Sequence, residues 1–231
     1  MDALNDLSPT IALKRTSTSR QLYDVLRGRI ISLDLTPGMH LSRSEIALAY
    51  GVSQTPVRDA LQMLEAEGLV VVYPQSRTEV TRIDLRQARE TQFLRLSLEL
   101  EVIRYLTENQ PEAVIKQADR LVALQETALN VDHDLERFAL LDRQFHQTLF
   151  EGAGVADLWM LVQSRSGHID RLRKLNLMDP GKAGTILCSH REIMDNVRDG
   201  NVRRAQEAVR RHLTGTLATV DAIREAHSHF F

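Results

Sequence analysis

The stretch LSRSEIALAYGVSQTPVRDALQMLEAEGLVVV, Leu41 to Val72, decides how the chain is to be read. Ser42 followed three residues later by Glu45 is a capping box, and Gly51 ends the helix that it opens. Thr55-Pro56 then supplies a cap residue and a proline at a first helical position, so only the turn Gly51 to Gln54 separates two short helices. In the second helix Val57, Ala60, Leu61 and Leu64 share one face, while Arg58, Gln62 and Glu65 share the other. A strand at Leu69 to Val72 follows, and the whole is the sequence form of a helix-turn-helix leading into a wing.

Arg58 is the informative departure. Near a helix N-terminus the macrodipole favours an anion, and a cation there breaks a local preference. A docking polyanion offsets that cost through the unpaired N–H groups and the guanidinium, whereas in an ordinary helical hairpin the same arginine is merely solvated.

With these residues in view, Leu41 to Val70 resembles the DNA-binding signature of the GntR family of bacterial transcription regulators. The resemblance implies a winged helix-turn-helix whose second helix enters the major groove. It also implies double-stranded operator DNA as partner, with Arg43, Ser44, Ser53, Gln54, Thr55, Arg58 and Arg77 as candidate contacts. Two positions depart from the family pattern. Gln54 stands where arginine is usual, and the wing Tyr73 to Val80 carries Arg77 where a glycine is common at the tip. Both changes bear on base and minor-groove readout.

Outward from that stretch, 231 residues at 43% hydrophobic and 26% charged suit two folded domains rather than a disordered chain. Residues 1–15 read as a flexible leader, 16–82 as the DNA-binding module and 83–231 as an all-helical second domain. The module begins with a helix from Thr18 to about Leu33, closed by Leu35-Thr36-Pro37-Gly38, and a short strand at Met39 to Leu41. Residues 11–82 carry nine Lys plus Arg against seven Asp plus Glu, and the remainder is net acidic. So small an excess makes no general polyanion binder, and two copies acting together, a homodimer, are expected. A single cysteine, Cys188, excludes an internal disulfide framework and is read as a buried apolar side chain. With no apolar run long enough to span a bilayer and no signal-peptide pattern, the expectation is a cytoplasmic protein with no membrane partner.

Beyond Ile83 the periodicity predicts six helices in an antiparallel bundle: Asp84–Asn109, one starting at Pro111, Asp132–Gly152, Val155–Leu177, Asp179–Asp199 and Asn201–Ala226. Phe93, Leu96, Leu100 and Ile103 are expected on the core face of the first. The fold class is therefore mainly α, an N-terminal winged helix-turn-helix followed by a helical bundle.

Three of these helices place a ligand-type side chain where an apolar one belongs. Asp142 and His146 interrupt the stripe of Leu135, Phe138, Phe145 and Leu149. His190 lies between Ile186 and Ile193, and His212 fills the gap between Val209 and Thr216. Singly, each imidazole is an ordinary core histidine bonded to a carbonyl or an acid. Together they would bury one carboxylate and three imidazoles at a cost that a divalent cation removes.

The same residues resemble the metal-binding pattern of the FCD effector domain found in the FadR branch of that family. This implies metal ligands Asp142, His146, His190 and His212, with zinc first and nickel or manganese also compatible, and a small carboxylate effector held beside the ion. Arg165, placed by periodicity in the stripe of Leu158, Val162, Ile169 and Leu172, is the expected effector contact. His168 and Arg95 accompany it, although Arg95 with Glu99 also reads as a surface i, i+4 pair. Arg171, Arg173 and Lys174 read as a solvated or domain-contacting face.

The reading is a ligand-responsive regulator, a repressor released by an organic or sugar acid. A metal-dependent enzyme and a metal sensor are the alternatives. The inner faces offer no second carboxylate or nucleophile free for acid-base work, which counts against the enzyme.

Overall fold

The computed structural model describes residues 17–73, 77–177 and 180–231. The leader, with Lys14 and Arg15, and the wing tip Pro74-Gln75-Ser76 lie outside the described residues.

Helix α1 (Thr18–Ile31) is opened by Ser17, whose Oγ accepts from Arg20 N. It buries Leu22, Leu26 and Ile30 against α3 (Gln54–Ala66). Between them, α2 (Arg43–Tyr50) starts at Ser42, whose Oγ accepts from Glu45 N at 3.3 Å, and ends at Gly51 with φ 64°. That left-handed residue is the stop expected of a glycine. The cap of α3 is Ser53 rather than Thr55, and Pro56 stands third in the helix instead of first. The first turn of a helix has no intrahelical use for its N–H groups, so proline is tolerated there and does not fix the start.

Strands β1 (His40–Leu41), β2 (Val70–Val72) and β3 (Thr78–Val80) form an antiparallel sheet in the order β1-β3-β2. Leu41 pairs with Thr78 and Val70 with Val80, and Tyr73 N donates to Arg77 O at 2.8 Å to close the wing. Leu69, Val70 and Val80 complete the core that Val57, Ala60, Leu61 and Leu64 begin.

The second domain comprises α4 (Leu85–Asn109), α5 (Glu112–Asn130), α6 (Leu135–Gly152), α7 (Ala156–Arg165), α8 (Gly167–Asn176), α9 (Pro180–Arg198), α10 (Val202–Ala218) and α11 (Val220–Ala226), then a 3-10 turn at Ser228–Phe230. Phe138, Phe145, Phe150, Trp159 and Ile103 lie at its centre.

Two of the six expected helices are each divided. The first divides at Ser166, whose Oγ accepts no helical duty and instead donates to Gln163 O at 3.0 Å, also meeting the Asp170 carboxylate. Gly167 then brings α8 so close to the first domain that a Cβ there would stand 2.6 Å from Leu69 Cδ2. The second divides at Thr219, between α10 and α11.

Three burial expectations change accordingly. Phe93 is 75% exposed, because the inner face of α4 is Thr91, Arg95, Glu99, Val102 and Ile103. Cys188 is exposed, since α9 turns Leu187 and His190 inward instead. Arg171 is fully buried, donating to Thr81 O at 2.7 Å across the domain junction.

Candidate DNA interface, metal centre and effector cavity

Gln54, Thr55 and Arg58 lie on the solvent side of α3, opposite its buried stripe. Ser53 makes no side-chain capping hydrogen bond, and among the described residues Arg58 is held only by Asp59 at 3.3 Å. Arg43, Ser44, Gln54 and Arg77 converge on an open groove of about 540 Å³ between the start of α2 and the wing. Arg77 packs its guanidinium on the Tyr73 ring at 4.9 Å and pairs with Glu79 at 3.2 Å. Ser53, Thr55 and Arg58 stand outside that groove, on the exposed helix face beyond it.

In the bundle, α6, α9 and α10 bring Asp142, His146, His190 and His212 together, with one ligand-type atom of each within 4.8 Å of the others. His146 Nε2 is 3.1 Å and His190 Nε2 3.3 Å from His212 Nε2, while Asp142 Oδ1 is 3.4 Å from His190 Nε2. Donors ~2.1 Å from one ion stand roughly 3–4.4 Å apart, so the spacing fits a first-row divalent metal.

The outer partners fix the tautomers. Glu99 Oε2 lies 2.8 Å from His146 Nδ1, and a carboxylate can only accept, so Nδ1 carries the proton and Nε2 its lone pair. Gln125 Oε1, 2.9 Å from His190 Nδ1, does the same for the second ring. The bare Nε2 atoms of His146 and His190 therefore both face His212 Nε2. Burial pushes all three imidazoles to lower pKa, His190 to about 4, so each is neutral at neutral pH. Burial alone would raise Asp142, but the surrounding imidazoles and Arg95 outweigh it and hold the carboxyl below its ordinary value. Phe145 stacks on His190 with ring centroids 4.2 Å apart, closing the site on its apolar side.

A cavity of about 510 Å³ opens from this cluster towards the first domain. Asp142, Arg95 and Arg173 line it near the histidines and also line a smaller void that reaches His212. Trp159 and Gln163 form one wall, and Asp24, Arg27 and Ile31 of α1 form the far end. Arg95 is buried against Glu99 and lies 5.7 Å from the Trp159 ring centroid.

The structure brings only one of the three expected effector contacts, Arg95, to this cavity. Arg165 is exposed and does not line it, because the break at Ser166 resets the helical phase on which its placement rested. His168 is buried at the domain junction, its Nδ1 accepting from Asp84 N at 2.9 Å and from Arg171 at 2.8 Å. Arg173, expected on a solvated face, takes the place assigned to Arg165. Glu99 and Gln125 were also invisible as partners of the histidines. Their only signal was polar residues at core spacing, Thr91, Arg95 and Glu99 being four apart.

Comparison with known proteins agrees with both halves of the chain. The model for bacterial regulatory proteins of the gntR family matches residues 18–80, and the FCD domain model matches residues 90–215. An uncharacterized HTH-type transcriptional regulator from an unstable DNA locus of Streptomyces ambofaciens is 39% identical over 210 residues, covering 90% of this chain and 87% of its own. The HTH-type transcriptional repressor RspR of Escherichia coli K12 is 28% identical over 215 residues, covering 92% and 93%. Among solved structures, E. coli McbR/YncC superposes with a TM-score of 0.76 at 18% identity, over 90% of this chain and 99% of that one. A putative GntR regulator from Rhodococcus sp. RHA1 gives 0.75 at 21%, with the same coverage. These families and relatives are transcriptional regulators and not enzymes. The chain belongs to the GntR family of bacterial regulatory proteins, with an FCD domain behind its winged helix-turn-helix.

Proposed function

We propose that this regulator is a cytoplasmic repressor, acting as a homodimer on a two-fold operator and released by a small organic acid bound beside a divalent metal. The observation that carries the metal is the pair of fixed tautomers: His146 and His190 aim bare Nε2 atoms at His212 Nε2 from 3.1 and 3.3 Å, one nitrogen that has at most one proton for the two, with the Asp142 carboxylate beside them. Asp142, His146, His190 and His212 would hold the ion, zinc before nickel or manganese. A bound ion would supply positive charge and an open coordination position for an acid oxygen. Arg95 and Arg173 would orient that acid, and Trp159 would shield it from water.

For DNA, Ser53, Gln54, Thr55 and Arg58 are proposed to enter the major groove, with Arg43, Ser44 and Arg77 against phosphate or minor groove. Phe93 stands on the solvent side of α4 at 75% exposure, with Leu96 and Leu100 half-buried beside it against the core, and this patch suits a second copy. The repressor sense follows the named E. coli relative. No helix among the described residues is long and apolar enough to cross a membrane.

Footprinting on the chain's own upstream DNA, with candidate acids titrated with and without chelator, tests the proposal. A two-fold protected site, lost in Arg58→Ala and relieved by an acid only when metal is present, is expected. Absence of any protected site refutes the regulator reading, and relief by metal alone makes the ion itself the signal.

A further inference from the structure

The far end of the cavity belongs to the DNA-binding domain. Arg27 of α1 lines it and donates Nη2 to Gln163 O at 2.6 Å, reaching Ser166 Oγ at 3.4 Å, both on the bundle side. Its Nε holds Glu67 Oε2 at 2.8 Å. Glu67 is the C-cap of α3, the helix presented to DNA; its other carboxylate oxygen receives the Tyr23 hydroxyl, and its carbonyl receives Gln87 Nε2 at 3.0 Å. One guanidinium therefore touches the cavity, the bundle and the end of the reading helix. At the other end Arg173 pairs with Asp170 at 3.1 Å, and Asp170 meets Ser166.

Five cationic side chains line the cavity against four acids, with Glu99 behind Arg95 and Glu67 behind Arg27. With a divalent ion in place one positive charge remains uncancelled, and at the α1 end Arg27 is a guanidinium whose pairing with Glu67 a second carboxylate can contest. A monocarboxylate beside the ion leaves the α1 end of a 510 Å³ space unfilled.

We propose that the cavity takes a linear dicarboxylate spanning both domains, one carboxylate at Arg173 and the other at Arg27, and that engaging Arg27 draws it from Glu67. This rests on the reading of the cavity as a carboxylate site. Arg27 is then the specificity-determining residue for chain length and the contact through which occupancy reaches α3.

The test is calorimetric titration of the metal-loaded full chain with dicarboxylates from malonate to adipate and with the monocarboxylates from propionate to hexanoate. Hydrogen exchange of residues 64–69 is followed in parallel. One dicarboxylate length should bind about tenfold tighter than its monocarboxylate, the size of one added charge-assisted contact. Arg27→Met should bring that dicarboxylate down to its monocarboxylate. Arg27→Lys, which keeps the charge and guards against a folding defect in the first variant, should lose at least half of the advantage, since an ammonium lacks the planar fork that meets a carboxylate in two parallel hydrogen bonds. Exchange at residues 64–69 should rise with the dicarboxylate and not with the monocarboxylate. If acids bind with no dicarboxylate advantage, or the advantage survives in both variants, this inference is overturned while the carboxylate site stands. If neither series binds, the carboxylate reading falls and this inference falls with it.

Discussion

Glu99→Gln should strip the metal centre although Glu99 touches no ion. The carboxylate is 2% exposed and accepts from both Arg95 Nε and His146 Nδ1. Glutamine keeps the shape and has one acceptor for two donors. The guanidinium, itself buried, is the stronger claimant for that oxygen, so the amide N–H₂ turns to His146. His146 must then accept at Nδ1 and carry its proton on Nε2, the atom 3.1 Å from His212 Nε2. A protonated nitrogen cannot ligate. Loss of an orienting partner of this kind lowers metal affinity by about 10–100-fold. Stability suffers separately, because Arg95 is left buried without its counter-charge at a cost of about 3–5 kcal/mol. Arg95→Met added to Glu99→Gln removes both faults at once: the orphaned charge is gone, so unfolding by urea in chelator should recover most of the loss, and the glutamine oxygen is free to accept from His146 Nδ1, so chelator competition should show most of the metal affinity restored. Wild-type metal affinity in Glu99→Gln would refute the tautomer argument, and with it the strongest reason for placing an ion there.

Two further outcomes follow from the domain junction. His168 is buried, and burial followed by Arg171 pushes its pKa down to about 4, against an ordinary value of 6.5. The unfolded chain therefore takes up the proton first: the neutral ring's stability is intact above pH 6.5 and is lost as pH falls from there through 4. Between pH 7.5 and 5 this single group should account for about 2 kcal/mol, so His168→Gln should lose that much less than wild type in urea unfolding with chelator present; equal losses would remove His168 from the account. Gly167→Ala adds a Cβ 2.6 Å from Leu69 Cδ2, and α8 is tied on either side by Ser166 and Arg171. Overpacking of about 1–3 kcal/mol should outweigh the roughly 1 kcal/mol gained in helix propensity, and a stabilised variant in the same assay would show that the two domains are not packed so closely.

How much of this was legible depended on the range over which each feature is determined. Ser42 and Gly51 fix α2 within one turn on either side, Ser42 Oγ accepting from Glu45 N and Gly51 taking the left-handed conformation. Thr55-Pro56 looked equally decisive and was not, since a proline suits any position in a first turn and Ser53 was available upstream. The histidines could be found because α6, α9 and α10 each run unbroken past their ligand position, so 3.6-residue phase carries through. Arg165 failed for the converse reason. Its phase was counted from Leu158 and Val162 on α7 as well as from Ile169 and Leu172 on α8, across a break made by Ser166 and Gly167, and neither residue is a strong enough breaker to announce it.

The contacts that join the domains were beyond any local rule. Arg27 and Gln163 are separated by 136 positions, and Arg171 and Thr81 by 90. In sequence, Arg171 and Arg173 are two members of a basic run; in the fold, Arg171 is sealed in the junction and Arg173 faces the cavity. Their division of labour follows from α8 lying between the two domains, one side against Thr81 and the other against Asp142. A helix so placed cannot shift towards one neighbour without leaving the other. Since Ser166 at its start also meets Arg27, and Arg27 holds the end of α3, a change in the charge around Asp142 has a short, continuous set of polar contacts to the helix presented to DNA. The arrangement can switch because its cations are shared. Arg27 engages Glu67, Gln163 and Ser166 through Nε and Nη2, so an added carboxylate meets the remaining Nη1 donors first and then competes with Glu67 for the one positive charge.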